Sequence, residues 1–331
     1  MPRIQKKSIN NTQISFKFSG HETFACRYAW LTKAAQAVSG DPTILTPKCE
    51  DDAMTTLGVG KNMVKSIRYW AEAAGIIQDL GSCHSVTTFG QELLLGSCSP
   101  KSEIHPPFDP YLEDIQTLWL IHWKLANKRS SPIFVWDFLL NRFNEPELST
   151  STVVKAMEKE LSQYQISRSS VEQLWDVFLR SYVPSKSQKA EVREDNLDCP
   201  LVELNLLLPT GITESTINHG RIESKYAFRR EEKPEIGQEL FAYFLCEFWE
   251  GRHSEEQSIP LHIIANGHGS PGQVLKIPEP DIRSRLLKIE KSSFGYFFFE
   301  ESAAIPRVIR RDKVGAPSLK NVYDVEAKLN G

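Results

Sequence analysis

Gly58 and Gly75 punctuate the stretch that most constrains what this chain can fold into, Asp51 to Leu95. Each glycine closes a run with helical periodicity, and glycine enters the left-handed conformation of a helix C-terminus without a Cβ penalty. The spacing therefore predicts a helix, a tight turn and a second helix. In the second helix Met63, Val64, Ile67, Trp70, Ala71 and Ala74 recur at intervals of three and four and form a core face. Lys61, Lys65, Arg68, Tyr69 and Glu72 fall on the opposite face. A short strand (Ile76 to Leu80), a turn at Gly81-Ser82, a second strand (Ser85 to Phe89) and an apolar helix start at Leu93 follow. This is the layout of a winged helix-turn-helix.

Such a helix meets DNA through side chains that donate to phosphates and base edges. Lys61, Asn62, Lys65, Ser66, Arg68 and Tyr69 are the candidates, with Arg27 a further phosphate contact. Asn and Arg are types that read bases, whereas lysines more often hold phosphates. A solvated surface helix carrying a few cations explains the same residues. The formal net charge of -3 argues against a generally basic coat for nucleic acid, so any such binding is confined to a local patch.

At 331 residues, 40% hydrophobic and 24% charged, the chain is long enough for two or three domains. No apolar run approaches a membrane span, and Met1 to Asn11 lacks the apolar core of a signal peptide, so the expectation is a cytoplasmic protein with no membrane partner. Cys26, Cys49, Cys83, Cys98, Cys199 and Cys246 are far apart without a C-x-x-C pair, which argues for reduced cysteines rather than a zinc knuckle or disulfide scaffold.

The fold class expected is mainly α with small β-wings (α+β), multi-domain, built from winged helix-turn-helix units. Residues 1–15 read as a flexible arm, and 16–105 as an N-terminal winged helix-turn-helix domain. Residues 106–230 read as a helical middle domain and 231–331 as a C-terminal winged-helix-like domain. A linker rich in Gly, Ser and Pro from Gly96 to Pro110 marks the first boundary. Helices are expected over Tyr111 to Asn127, Ile133 to Phe143, Thr152 to Gln163 and Val171 to Tyr182, with Trp119, Trp123, Trp136 and Trp175 as core anchors. Lys155 and Lys159, one turn apart, make the third of these a second recognition-like helix.

Pro184 to Asn196, with Lys186, Lys189 and Arg193, reads as an exposed loop, and Lys225 to Arg230 as a strand. In the last domain, helices over Ile236 to Trp249, Ser270 to Leu275 and Glu279 to Glu290 precede a hairpin from Gly295 to Arg311. Arg283, Arg285 and Lys288 are expected outward, and Arg307, Arg310, Arg311 and Lys313 on the wing arm. A solvated basic face accounts for them equally well.

Phe18-Ser19-Gly20-His21-Glu22-Thr23-Phe24 with Arg27 and Trp30, and Leu57-Gly58-Val59-Gly60-Lys61-Asn62-Met63-Val64 with Ser66, Ile67, Tyr69 and Trp70, are long, specific motifs. They resemble a bacterial domain-of-unknown-function family of DNA phosphorothioation gene clusters, the SspB-like proteins. Phe178 to Tyr182 and Leu197 to Leu204 are similar to the same family, so the resemblance covers most of the chain. It implies a component of single-strand phosphorothioation in anti-phage defence, acting on double-stranded DNA beside a cysteine desulfurase, an ATPase and an ATP-pyrophosphatase. It also implies magnesium-dependent DNA nicking, although no nuclease signature stands in the chain.

Cleaving a phosphodiester requires an activated water, a sink for charge on the phosphorane oxygens and an acid for the leaving oxygen; Mg²⁺ serves several of these roles and takes oxygen ligands. The best local set is His21 and Glu22 as catalytic residues, Glu22 and Asp52 as metal ligands with Glu50 and Asp51 beside them, and Lys61 or Arg27 on the phosphate. Asp51 and Asp52 are also explained as an N-cap and helix-dipole partners. A buried His-Glu pair could likewise satisfy only itself and its neighbours. Nicking and non-catalytic DNA reading both stand as expectations.

Overall fold

A computed structural model describes residues 5–7, 13–96, 105–128, 131–184, 199–217, 220–302, 304–311 and 314–324. These fall into two compact units, one within Met1–Leu139 and Phe143–Arg229, the other within Leu140–Arg142 and Arg230–Gly331. Long helices alternate with small antiparallel sheets, so the class is α+β. Among the described residues no helix is long and apolar enough to cross a membrane. Cys98, the tract with Lys186, Lys189 and Arg193, and Lys313 lie outside the described residues.

The first unit opens with two short strands, β1 (Gln5–Lys7) and β2 (Gln13–Ser15), paired antiparallel where a flexible arm was expected. Helix α1 (Tyr28–Gly40) then buries Trp30, Leu31, Ala34, Ala35 and Val38. It starts at Tyr28, after Glu22 and Thr23 take positive φ and turn the chain. Next come α2 (Glu50–Leu57) and α3 (Lys61–Ala73). Gly58 ends α2 at φ 68°, and its neighbour Val59 donates back to the Met54 carbonyl at 3.2 Å. Gly75 ends α3 in the same manner at φ 71°, with Ile76 N donating to the Ala71 carbonyl at 2.9 Å.

Strands β3 (Ile77–Asp79) and β4 (His84–Val86) pair antiparallel. β4 is shorter than Ser85 to Phe89 because Thr87 caps the short helix α4 (Thr88–Gly90) with its side chain. A π-helical turn, Gln91–Leu95, completes the segment.

The helices beyond are α5 (Ile115–Ala126), α6 (Phe134–Asp137), α7 (Thr150–Glu160) and α8 (Arg168–Tyr182). The expected helix over Ile133 to Phe143 breaks instead into α6 and a π turn, Phe138–Arg142. Trp119, Trp123, Trp136 and Trp175 are all buried, as their helical spacing required. Strand β5 (Leu207–Glu214) pairs with β6 (Ile222–Phe228). The bulge between Pro209 and Gly211 lets proline enter a strand without a ladder donor.

The second unit runs α9 (Gln238–Arg252), β7 (Ser258–Pro260), α10 (Leu261–Asn266), α11 (Pro271–Val274), α12 (Glu279–Leu286), α13 (Ile289–Ser292), β8 (Phe297–Glu300), β9 (Arg307–Arg310) and α14 (Leu319–Tyr323). Its sheet has the order β7-β9-β8, all antiparallel.

The arginines expected to face outward here are tied up within the unit. Arg285 is 4% exposed and donates to Asp281 and to the Ile236 and Lys233 carbonyls. Arg283 pairs with Glu301, Arg307 with Glu300 and Arg311 with Glu290. Arg285 is buried one helical turn from Asp281, whereas the other three arginines pair across elements and keep side chains 41%, 46% and 45% exposed.

Candidate nucleic-acid interface and the turn beside it

Helix α3 carries Lys61 and Asn62 exposed and Lys65 and Arg68 partly exposed. Lys61 Nζ lies 2.5 Å from Glu50 Oε2, and this contact raises the lysine's pKa and lowers the glutamate's. An ion pair this open to water contributes little and exchanges readily for a phosphate. Arg68 donates to the Leu45 carbonyl at 3.0 Å, which fixes its reach. Lys65 makes no ion pair among the described residues.

Two residues expected on this face are not there. Ser66 is fully buried and donates to the carbonyls of His21 at 2.8 Å and Asn62 at 3.0 Å. Tyr69 is 2% exposed, and burial raises its phenol pKa. The chain preceding α1 folds across this side of the helix, so periodicity alone misassigned it. The outward edge is the narrower set Lys61, Asn62, Lys65 and Arg68.

What covers Ser66 and Tyr69 is the turn His21-Glu22-Thr23-Phe24, closed by Phe24 N donating to the His21 carbonyl at 2.8 Å. Glu22 and Thr23 have φ of 46° and 73°, positions that side-chain-bearing residues hold only when their surroundings impose them. Three side chains do so: Ser66 engages the His21 carbonyl, Arg180 Nη2 the Thr23 carbonyl at 2.6 Å, and Trp70 Nε1 the Phe24 carbonyl at 3.1 Å. Gly20 enters the turn at φ 120°, and a Cβ there would lie 2.7 Å from Tyr69 Cδ2.

His21 is 4% exposed, stands edge-on to Tyr69 at 5.4 Å, and has no partner at either ring nitrogen. Burial first, then the charges of Arg180 and Lys17, lower its pKa from 6.5 to about 4. The imidazole is therefore neutral at pH 7. Between pH 4 and 6.5 the folded chain binds fewer protons at this site than the unfolded chain, so stability rises with pH across that window and is lost as pH falls through it. The shift corresponds to about 3 kcal/mol at most. Urea unfolding of the wild type at pH 4.5 and 6.5 should show this dependence, and His21→Gln should flatten it; an unchanged slope in the variant would remove His21 as its source.

Behind Tyr69 lies a network that the sequence did not announce. Lys17 Nζ sits 4.6 Å from the Tyr69 ring centre and 3.0 Å from Glu72 Oε2, while buried His84 approaches Glu72 Oε1 at 3.4 Å. Lys128 donates to the Glu72 carbonyl. Although burial opposes it, the hydrogen bonds of His84 and Lys17 hold the Glu72 carboxyl down to about 2. Glu72 thus belongs to the support of α3 rather than to its outward face.

Arg27 stacks over Phe24 and Trp30 at 5.8 and 5.2 Å. Glu22 is half-buried at the turn, and Asp52 is exposed in the first turn of α2 beside Glu50 and Asp51, whereas Cys49 holds the N-cap position. Among the described residues no three His, Cys, Asp or Glu side chains come close enough to hold a metal ion. Glu22 and Asp52 are oxygen donors of the kind Mg²⁺ takes, one in the turn and the other in the first turn of α2.

Residues 18–323 match the model of the family described as "Protein of unknown function (DUF4007)". No curated protein matches significantly. A magnesium ion-bound SspB crystal structure is similar with a TM-score of 0.73 and 26% identity, covering 93% of this chain and 88% of that one. A second SspB crystal structure is similar with a TM-score of 0.72 and 24% identity, covering 95% and 87%.

Proposed function

The chain belongs to the DUF4007 family, and on that footing we propose that it is the DNA-binding component of a single-strand DNA phosphorothioation system. Its partners on this view are double-stranded DNA and the cysteine desulfurase, ATPase and ATP-pyrophosphatase of that system. The observation that carries the proposal is the edge Lys61, Asn62, Lys65 and Arg68 on α3, set between the Gly58 turn and the β3–β4 hairpin. On this reading α1, α2, α3, β3 and β4 form a winged helix-turn-helix, in which the helix after the turn enters the major groove. On the same reading the three-stranded sheet of the second unit would serve as its wing. The first unit then makes the DNA contact, because Lys65 there has no ion pair among the described residues, whereas Arg283, Arg307 and Arg311 of the second unit each face a carboxylate.

Binding of a labelled duplex should weaken steeply with salt, by about 0.9 in log affinity per log salt for each phosphate contact. Lys65→Ala and Arg68→Ala should each reduce affinity several-fold. Duplex binding that ignores both substitutions would refute the assignment of this face.

Nicking of the bound strand is the second proposal, favoured by His21, whose ring has no partner at either nitrogen and stands in the turn that also carries Glu22. Because His21 is buried, the turn must open for it to act on a substrate. Magnesium is proposed by analogy with the metal-bound SspB. Supercoiled plasmid incubated with Mg²⁺ or EDTA should yield open circles only with metal, and none with Glu22→Ala or His21→Ala. Retained binding without scission in the wild type would leave a DNA reader that recruits the modification enzymes.

A further inference from the structure

Among the motifs of the chain, Phe178 to Tyr182 has no part in the interface described so far. Arg180 in α8 is the one residue of that block whose charge reaches solvent, its side chain being 43% exposed. One guanidinium nitrogen, Nη2, bonds both the Thr23 carbonyl and Asp176 Oδ2, each at 2.6 Å. A guanidinium has five N–H donors in one plane, so three remain after those two bonds. They sit on a side chain already immobilised at its tip, and a planar fork of donors matches the oxygens of a phosphate.

The turn that Arg180 holds points the same way. The carbonyls of His21, Thr23 and Phe24 are all engaged by Ser66, Arg180 and Trp70, which leaves the exposed Thr23 side chain and the remaining face of Arg180 to meet a ligand. Beneath them lies the His21 ring, more than nine-tenths buried and unpartnered at both nitrogens. Lys17 is the other cation acting on that ring, and it is committed to Glu72. The imidazole lies in a positive field that an anion at Arg180 would relieve.

We propose that Arg180, together with the His21–Phe24 turn it clamps, is a second phosphodiester-binding position beside α3. It extends the nucleic-acid track from Lys61, Lys65 and Arg68 across the turn, and it rests on the DNA-binding function proposed above. Asp176 competes with the phosphate for the guanidinium and tunes the affinity.

The test measures binding of one labelled duplex across a salt series by the wild type, Lys65→Ala, Arg180→Gln and Asp176→Asn, each with its melting temperature. Arg180→Gln should weaken binding about tenfold and reduce the log–log salt slope by about 0.9, the signature of one lost phosphate contact. Because that substitution also releases the Thr23 carbonyl, Asp176→Asn is the decisive variant: it leaves the clamp in place and should tighten binding several-fold. Unchanged affinity in Asp176→Asn, with an unchanged slope in Arg180→Gln, would reduce Arg180 to a structural clamp while binding weakened by Lys65→Ala kept the α3 face. Absence of duplex binding by the wild type would sink both.

Discussion

Gly20→Ala should destabilise the first unit by about 2–4 kcal/mol, combining a left-handed backbone strain and an overpacked contact that each cost about 1–3 kcal/mol. The backbone at Gly20 has φ 120°, and the added methyl would lie 2.7 Å from the Tyr69 ring. Tyr69 cannot retreat, because it is buried against Trp70 at 5.2 Å and has Lys17 over its face. The melting temperature should fall by roughly 5–15 °C. Since the turn carries Glu22 and receives Arg180, the same variant should bind DNA less tightly at a temperature where it remains folded. Normal stability by calorimetry would mean that the turn is looser than its three side-chain clamps imply.

Tyr182→Phe should cost about 2–4 kcal/mol although it removes a single oxygen and opens almost no cavity. The hydroxyl accepts from Trp136 Nε1 at 2.8 Å and lies 2.7 Å from His122 Nδ1, all deep in the first unit. Removing the partner those two buried groups share exposes each to a desolvation penalty of about 1–3 kcal/mol. Tyr182→Leu should lose more, because the ring also packs on Phe178 at 5.0 Å. Chemical denaturation with an unchanged m-value checks the first figure; a loss below about 0.5 kcal/mol would show that the polar cluster is dispensable.

Helix periodicity was legible wherever one face was apolar: α3, α5, α8 and α9 lie within a few residues of their expected bounds. The two glycine stops were legible because a positive φ selects for glycine almost irrespective of context. Short elements were not. Strand β7 has three residues and β5 contains a proline and a glycine, so neither presents the alternation by which a strand is recognised.

The sequence by itself therefore determined that α2 and α3 form around Gly58, that a two-stranded hairpin follows, that the tryptophans are core, and that the chain resembles the SspB-like family. Tertiary structure alone decided which polar residues of α3 meet solvent. Ser66 and Tyr69 occupy an outward register along the helix, but the turn His21–Phe24 lies over them, and only that long-range contact converts a candidate DNA ligand into a buried clamp. It likewise brought Arg180 to the Thr23 carbonyl, 157 residues away in sequence. Local periodicity reports which face of an element is apolar; which segment covers the polar remainder is a property of the closed chain.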